Sequence, residues 1–500
     1  VNLKQDLKLL GMLQFFLGFV MIIPTTLAWK YGEGEVFHAF LVAILSIFLV
    51  SSITCMLTWK CKSTFMSIND GLFFVTFTWI ISTGFACLPL YLSKVYPTYC
   101  DAYFEIMSGF TTTGATVLSS VEGTARSILF WRSMTNWLGG MGIVVLFVAF
   151  LPMLGVNGTI LVNSELVGPT KNKLTPKIGQ TAIILWGLYI GFSVLQALLL
   201  LADHLSLYDA VTITFSTMST AGFSVKNASI GSYDKPYAEI IITLFMLIAG
   251  TNFSLYAYLF RGKIKRILKD GELHWYIGLF VLCTLICAMV LTRQHVYPSL
   301  AIALRYTSFQ SASIMTTTGF TTADYQTWPT PCQMLLLLMF FTGGCAGSTG
   351  GGVKVIRVRA LFTAGKNTII RRLHPSAVIT NKVGDSTYSD TTMMEIAGFV
   401  GMYILTGLAG AVILTFSGVD INTAVAGSFL CIGNIGIGFG KIGPSGNFAF
   451  FPEWAKWFLS FLMLAGRLEL FTVLSLFTAD FWRSSAATHR IHKHGKSLNP

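Results

Sequence analysis

The stretch SGFTTTGATV, residues 108–117, recurs in altered form as TMSTAGFSVK at 217–226, IMTTTGFTTA at 314–323 and IGNIGIGFGK at 432–441. Aligned on one glycine, the copies set Gly114, Gly222, Gly319 and Gly436 in register. Three positions earlier stand Thr111, Ser219, Thr316 and Gly433; two earlier come Thr112, Thr220, Thr317 and Asn434; one earlier come Thr113, Ala221, Thr318 and Ile435. Each copy follows an apolar piece, near 100–110, 208–218, 305–315 and 422–432, too short to cross a bilayer and too apolar for a loop. Such pieces read as re-entrant helices, which are tolerated at membrane depth only where protein or a water-filled cavity covers the freed backbone. Asp101 and Asp209, each followed by Ala, read as N-caps of the first two. One TTTG on its own would be close packing between membrane helices. Four copies at matching places point to a shared function.

Composition agrees with a membrane setting. The 500 residues are 53% hydrophobic and 11% charged, with 40 Phe, against roughly 25% charge in a soluble domain. Mean hydropathy is +0.66. Disorder, fibrous repeats and a secreted disulfide scaffold are excluded. The net charge of +12 belongs to short loops, so topology explains it and nucleic acid is not an expected partner. The nine cysteines form no CxxC pair and mostly sit in apolar runs, as packing residues. No HExxH, nucleophile elbow or intramembrane His pair is present, which leaves an enzyme without a constellation.

Ten segments reach the length of about 20 mostly apolar residues that a span needs: 8–29, 36–58, 70–93, 127–153, 180–202, 236–260, 274–292, 330–352, 394–417 and 453–480. Lys and Arg concentrate at 1–8, 59–69, 154–179, 261–273, 353–393 and 481–500. The opposite loops hold only Lys30, Lys94, Arg126, Lys226, Lys235, Arg293, Lys441 and Lys456. The positive-inside rule then puts both termini in the cytoplasm and opens all four short pieces outward. The first apolar run lacks a cleavage site and reads as a span.

The expected fold is therefore an all-α polytopic bundle: an N-terminal hairpin (1–60) and four parallel units of span, short helix, Thr/Gly segment and span (61–170, 171–272, 273–380 and 381–500). Two crossings per unit keep the units parallel, and four around one axis enclose a pore. The short helices would aim their partially negative C-termini at that axis and favour a cation. Gly tolerates the dihedrals that turn carbonyl oxygens inward, and rings of carbonyls replace an ion's hydration shell in potassium-type filters. The backbone of Thr111–Gly114, Ser219–Gly222, Thr316–Gly319 and Asn434–Gly436 is the candidate ion site.

MSGFTTTGAT, WLGGMGIVVL (137–146), TTTGFTTADY, GGCAGSTGGGVKVIR (343–357) and MLAGRLEL (463–470) resemble the Trk/Ktr/HKT superfamily of potassium transporters, over about residues 70–480. The hairpin and length look like its TrkH branch. The resemblance implies potassium uptake across a bacterial inner membrane by a homodimer bound to a cytoplasmic TrkA-like nucleotide-binding ring. ATP or NAD would then be expected only on that partner. The chain departs from the family at Ile437, where Pro is usual, and GNIGIG lacks the hydroxyl-rich triplet. Sodium or another monovalent cation stays an alternative cargo, as does coupling to protons or sodium. A solute carrier at mid-membrane would favour inverted or twofold repeats, unlike these.

Two further features concern control of the path. Gly343, Gly344, Gly347, Ser348, Thr349, Gly350, Gly351 and Gly352 interrupt the second span of the third unit. Gly347 precedes Ser348 where a phosphate-binding loop needs Lys, so the choice lies between a kink and a gate. The resemblance implies an intramembrane gating loop. Arg467, at mid-membrane, costs about 2.5–3.5 kcal/mol unless it faces protein or water. It is either a structural ion-pair partner or a positive charge facing the cavity, and the resemblance supports the second. Glu469 cannot share its helix face at this spacing and should pair elsewhere. Glu105, Arg132 and Glu395 read as structural ion-pair partners.

Overall fold

In the computed structural model, the residues described are 2–61, 67–142, 178–377, 379–384 and 386–482. Among the described residues, six helices are long and apolar enough to cross a membrane: Leu3–Lys30, Gly34–Leu57, Ile68–Leu92, Thr181–Ala202, Gly271–Arg293 and Asp390–Thr415. Leu45, Leu49 and Val412 on these elements are exposed, an outer surface suited to lipid. The other four expected spans are each altered. The run 236–260 is bent by 95° between Pro236–Ala249 and the following helix. The spans at 127, 330 and 453 begin as Arg126–Gly140, Thr330–Phe340 and Glu453–Arg467. Residues 143–153, the expected boundary at 170 and the basic stretch 483–500 lie outside the described residues.

Two of those alterations are corrections with a local cause. The expected span 330–352 stops being helical at Phe340, because the glycine run that follows cannot hold a helix; the chain becomes helical again at Val355–Leu373. The expected span 453–480 breaks behind Arg467, where Glu469 takes a non-helical backbone with positive φ (60°) before Leu470–Ser475. Beyond Val355–Leu373 lies a small hairpin, Asn381–Val383 against Ser386–Tyr388, antiparallel with Lys382 opposite Thr387.

The four short pieces are helices: Tyr99–Phe110, Leu207–Met218, Leu300–Met315 and Ile421–Gly433. Each begins at a side-chain cap. Thr98, Ser206, Ser299 and Asp420 accept the amides of Asp101, Asp209, Ile302 and Thr423. Asp101 and Asp209 are thus not the N-caps. A hydroxyl three residues earlier occupies that place, and both acids stand in the first turn, where a negative charge still meets the positive helix end. Asp101 takes Lys456 Nζ at 2.6 Å and the Thr98 hydroxyl at 2.9 Å. Asp209 takes the Ser206 and Tyr233 hydroxyls at 2.7 and 3.0 Å. In the fourth helix the hydroxyl and amide of Thr423 both donate to Asp420 and hold its carboxyl below its usual range.

A hoop of hydrogen bonds links the segments that follow these helices. Phe448 N donates to Thr116 O at 2.8 Å, Val121 N to Asn227 Oδ1 at 2.7 Å, Gly231 N to Thr321 O at 3.1 Å and Tyr325 Oη to Gly438 O at 2.6 Å. Fourth meets first, first meets second, second meets third and third meets fourth. The short helices therefore stand around a common centre.

Candidate ion site and glycine loop

Each short helix ends in the same hook. Thr112, Thr220, Thr317 and Asn434 all lie in the left-handed region, at φ 55°, 55°, 61° and 53°. The amide of each bonds back to the helix, to Gly109 O, Thr217 O, Ile314 O and Cys431 O. The next amide reaches one carbonyl further back: Thr113 to Ser108 at 2.8 Å, Ala221 to Ser216 at 3.0 Å, Thr318 to Ser313 at 2.8 Å and Ile435 to Leu430 at 2.9 Å. This pair of bonds is the Schellman arrangement, which normally recruits glycine at the left-handed position. Three threonines there are unusual, since a β-branched residue is a conformational outlier in that region. Strain of about 1–3 kcal/mol per residue persists only where the surroundings over-determine it, and such residues cluster at functional sites.

The hydroxyl pattern has a local reason. Thr111, Ser219 and Thr316 donate to the carbonyls of Met107, Phe215 and Ala312 four residues earlier, at 2.6, 2.7 and 2.7 Å. Thr113 and Thr318 then meet the hydroxyls of Thr111 and Thr316 at 2.9 and 2.7 Å. The fourth copy has Gly433 instead. There Asn434 Nδ2 crosses to Thr113 Oγ1 at 3.1 Å and to Met463 O at 2.9 Å.

The aligned glycines close the circle. A Cβ on Gly114 would overlap the Ala221 carbonyl, and one on Gly222 would overlap that of Thr318. One on Gly319 would come within 3.3 Å of Gly436 N, and one on Gly436 within 2.6 Å of Thr113 O. Gly114, Gly222 and Gly319 have φ of 79°, 78° and 84°, whereas Gly436 is not left-handed; the fourth segment departs in backbone as well as sequence. The hooks spend their amides on their own helices. Among the described residues, no protein donor reaches the carbonyls of Thr112, Thr113, Thr220, Ala221, Thr317, Thr318, Asn434 or Ile435. Buried carbonyls left this way call for a partner, and a ring of them suits a desolvated monovalent cation.

Directly against this ring lies the glycine loop. Gly351 N donates to Thr317 Oγ1 at 2.8 Å, and Cβ atoms on Gly350 and Gly351 would press on Thr316 O and Gly433 O. Thr349 Oγ1 donates to Met218 O at 3.1 Å and receives Thr220 Oγ1 at 3.3 Å. Buried Lys354 reaches back to Gly350 O and to Ser348 Oγ. Gly343 N bonds Val353 O at 2.7 Å, which closes the base of the loop.

The bend after Ala249 grips the same loop, a feature the hydropathy of 236–260 hides. Cys345 N donates to Gly250 O at 2.8 Å, Phe253 N to Gly347 O at 3.1 Å and Thr349 N to Ala249 O at 3.3 Å. The readable signal was Gly250-Thr251-Asn252, in which Asn252 caps the next helix by accepting Ser254 N at 2.9 Å. Lys354 also escaped notice, counted among loop cations.

Arg467 ties three segments together. Nη1 donates to Thr349 O at 2.9 Å, and Nη2 to Gly139 O and Gly140 O at 2.6 and 2.7 Å. The latter two carbonyls end the Arg126–Gly140 helix, where a cation is favoured. The guanidinium also borders a small cavity with Gly350, Phe399, Asn434 and Glu469. Glu469 pairs with Arg357 at 2.7 Å, and Glu105 with Arg132 at 2.6 Å. Exposed Glu395 enters no ion pair among the described residues.

The sequence profile of TrkH, described as cation transport proteins, matches residues 40–484. The chain is 38% identical over 491 residues to the Trk system potassium uptake protein TrkH of Escherichia coli (strain K12), covering 97% of this chain and 100% of that one. It is 34% identical to the Trk system potassium uptake protein TrkG of the same strain, covering 95% and 97%. Among solved structures, the crystal structure of the potassium transporter TrkH from Vibrio parahaemolyticus matches with a TM-score of 0.86 at 33% identity, covering 96% of this chain and 100% of that one.

Proposed function

The chain belongs to the TrkH family of cation transport proteins, and from that membership we propose that it takes up potassium across a bacterial inner membrane through the carbonyl ring. The observation that carries this is the closure of four left-handed hooks around one centre, with the carbonyls of Thr112, Thr113, Thr220, Ala221, Thr317, Thr318, Asn434 and Ile435 receiving no protein donor among the described residues. Those oxygens replace water around the ion, and the C-terminal ends of the four short helices add partial negative charge. Threonine, alanine, asparagine and isoleucine can all serve, because the ligands are backbone atoms. The four units 61–170, 171–272, 273–380 and 381–500 are parallel repeats, and 1–60 is an added hairpin.

The loop Gly343–Gly352 closes the path beneath the ring, and Arg467 holds it there. Its charge opposes a passing cation, and its bond to Thr349 fixes the loop. Both termini are cytoplasmic, in line with the distribution of Lys and Arg. The protein acts as a homodimer on a cytoplasmic nucleotide-binding ring; its relatives' names make them parts of a Trk system. ATP or NAD acts on that ring.

Rubidium flux into proteoliposomes with sodium as competitor, for wild type and Gly319→Ser, tests this reading. Gly319 has φ 84°, so a side chain there strains the segment whatever space it finds. Potassium-like selectivity that the variant loses supports the ring. Equal rubidium and sodium flux in wild type overturns potassium as the cargo, and the non-left-handed Gly436 is then the first place to look. Unimpaired selectivity in Gly319→Ser overturns the ring.

A further inference from the structure

Behind the first hook lies a buried ion pair that the transport reading does not use. Glu105 sits within the Tyr99–Phe110 helix and is fully buried; Arg132, on Arg126–Gly140, is 1% exposed. Glu105 Oε1 accepts Arg132 Nε at 2.8 Å and the Thr116 hydroxyl at 2.8 Å, while Oε2 accepts Val117 N at 2.9 Å. Arg132 Nη2 donates to Thr116 Oγ1 at 3.2 Å, and its guanidinium lies 4.2 Å from the centre of the Phe223 ring. Thr116 and Val117 follow Gly114; Phe223 follows Gly222. Thr116 O also takes the amide of Phe448. One pair of side chains thus contacts the chain leaving two ring glycines, and through Thr116 it is joined to the fourth segment.

The three equivalent helices lack this pair. Nine residues before the aligned glycine stand Glu105, Ile213, Gln310 and Gly427. Gln310 reaches its own segment as a neutral amide, donating to Ala323 O at 3.3 Å. Stability gives no reason for the charged version, since a buried ion pair can often be replaced by well-packed apolar residues without loss. Specifying one conformation is the better-attested use of such groups, and what these groups hold is the chain next to two ring carbonyl sets.

We infer that Glu105 and Arg132 are a positioning pair that fixes the spacing of the first and second hooks and so sets the discrimination between potassium and sodium. The inference rests on the carbonyl-ring reading above. The pair touches no ion; it acts through Thr116, Val117 and Phe223.

The test is the rubidium-to-sodium flux ratio in proteoliposomes for Glu105→Gln/Arg132→Met, which removes both charges together. Its companion is Arg132→Lys, which keeps the charge but not the two-nitrogen reach to Glu105 and Thr116. Monodisperse elution in detergent reports folding. The double variant should still transport rubidium while its ratio falls about tenfold, the weight of one charge-assisted hydrogen bond; Arg132→Lys should lie between it and wild type. Thermal stabilisation of the purified variants by potassium against sodium gives the same comparison without flux. A folded double variant with the wild-type ratio and wild-type ion stabilisation overturns the inference while leaving the ring intact. A wild type that does not distinguish the two ions overturns the parent reading instead.

Discussion

Arg467→Ala should raise transport, by an amount the contacts themselves bound. Of the carbonyls that receive Arg467, Gly139 and Gly140 belong to a helix end and Thr349 to the glycine loop. Loss of the first two loosens the bundle; loss of the third releases the loop. A hydrogen bond from a charged donor contributes about 1.5–3 kcal/mol. At 1.4 kcal/mol per tenfold, release shifts the closed-to-open ratio by about 10- to 150-fold. Removal of the charge acts in the same direction. A cation passing about 5 Å away at an effective dielectric of about 20 meets roughly 3 kcal/mol of repulsion. Rubidium uptake into proteoliposomes, normalised to monodisperse protein, should therefore rise at least about tenfold. Arg467→Lys separates the two contributions: it keeps the charge but not the forked reach to both helix end and loop, so its flux should rise less. Folded Arg467→Ala with uptake within about twofold of wild type would refute the tether and the barrier together.

Two other substitutions probe neighbouring contacts. Thr317→Val keeps the shape of the side chain but leaves the buried Gly351 amide without its acceptor, at about 1–3 kcal/mol; flux should rise with selectivity kept, and Thr317→Ser should restore the wild-type rate. Lys456→Met strands the buried Asp101 carboxylate, a loss of about 3–5 kcal/mol when one partner of a buried pair is removed. The apparent Tm in detergent should fall, and Asp101→Asn added to it should recover most of the loss.

The four short helices were legible in the sequence because two signals coincide there: an apolar run too short to cross, and a Thr/Gly tail that cannot extend it. The observed ends at Phe110, Met218 and Met315 fall at the expected places. The starts were less legible. Asp outranks Thr and matches Ser as a cap, yet the chain uses Thr98 and Ser206, because cap choice depends on where the chain enters the helix. Hydropathy also misled at 236–260. A window averaged over some twenty residues does not register three polar or small ones, and Gly250-Thr251-Asn252 turns the helix by 95°. The alignment on one glycine brought together four segments that lie against one another in the structure, Gly114 beside Ala221, Gly222 beside Thr318, Gly319 beside Gly436 and Gly436 beside Thr113. The left-handed threonines were not readable, because the hook bonds are local while composition favours glycine at such a position; nor was the Glu105 bracing, which depends on how the chain beyond Gly114 folds back onto its own helix.

The bend and the glycine loop hold each other by exchange: Gly250 and Ala249 accept amides from the loop, while the loop's Gly347 accepts one from Phe253. Two breaks in two separate helices thereby mesh like the teeth of a zip fastener. Neither can swing away alone without stranding backbone groups in a place that water reaches poorly. Under the gating role proposed above, opening would be a joint event that lets go of several bonds at once. A push applied to either helix would then give an all-or-none response of the path, with the steep dependence on temperature that breaking many weak bonds together brings.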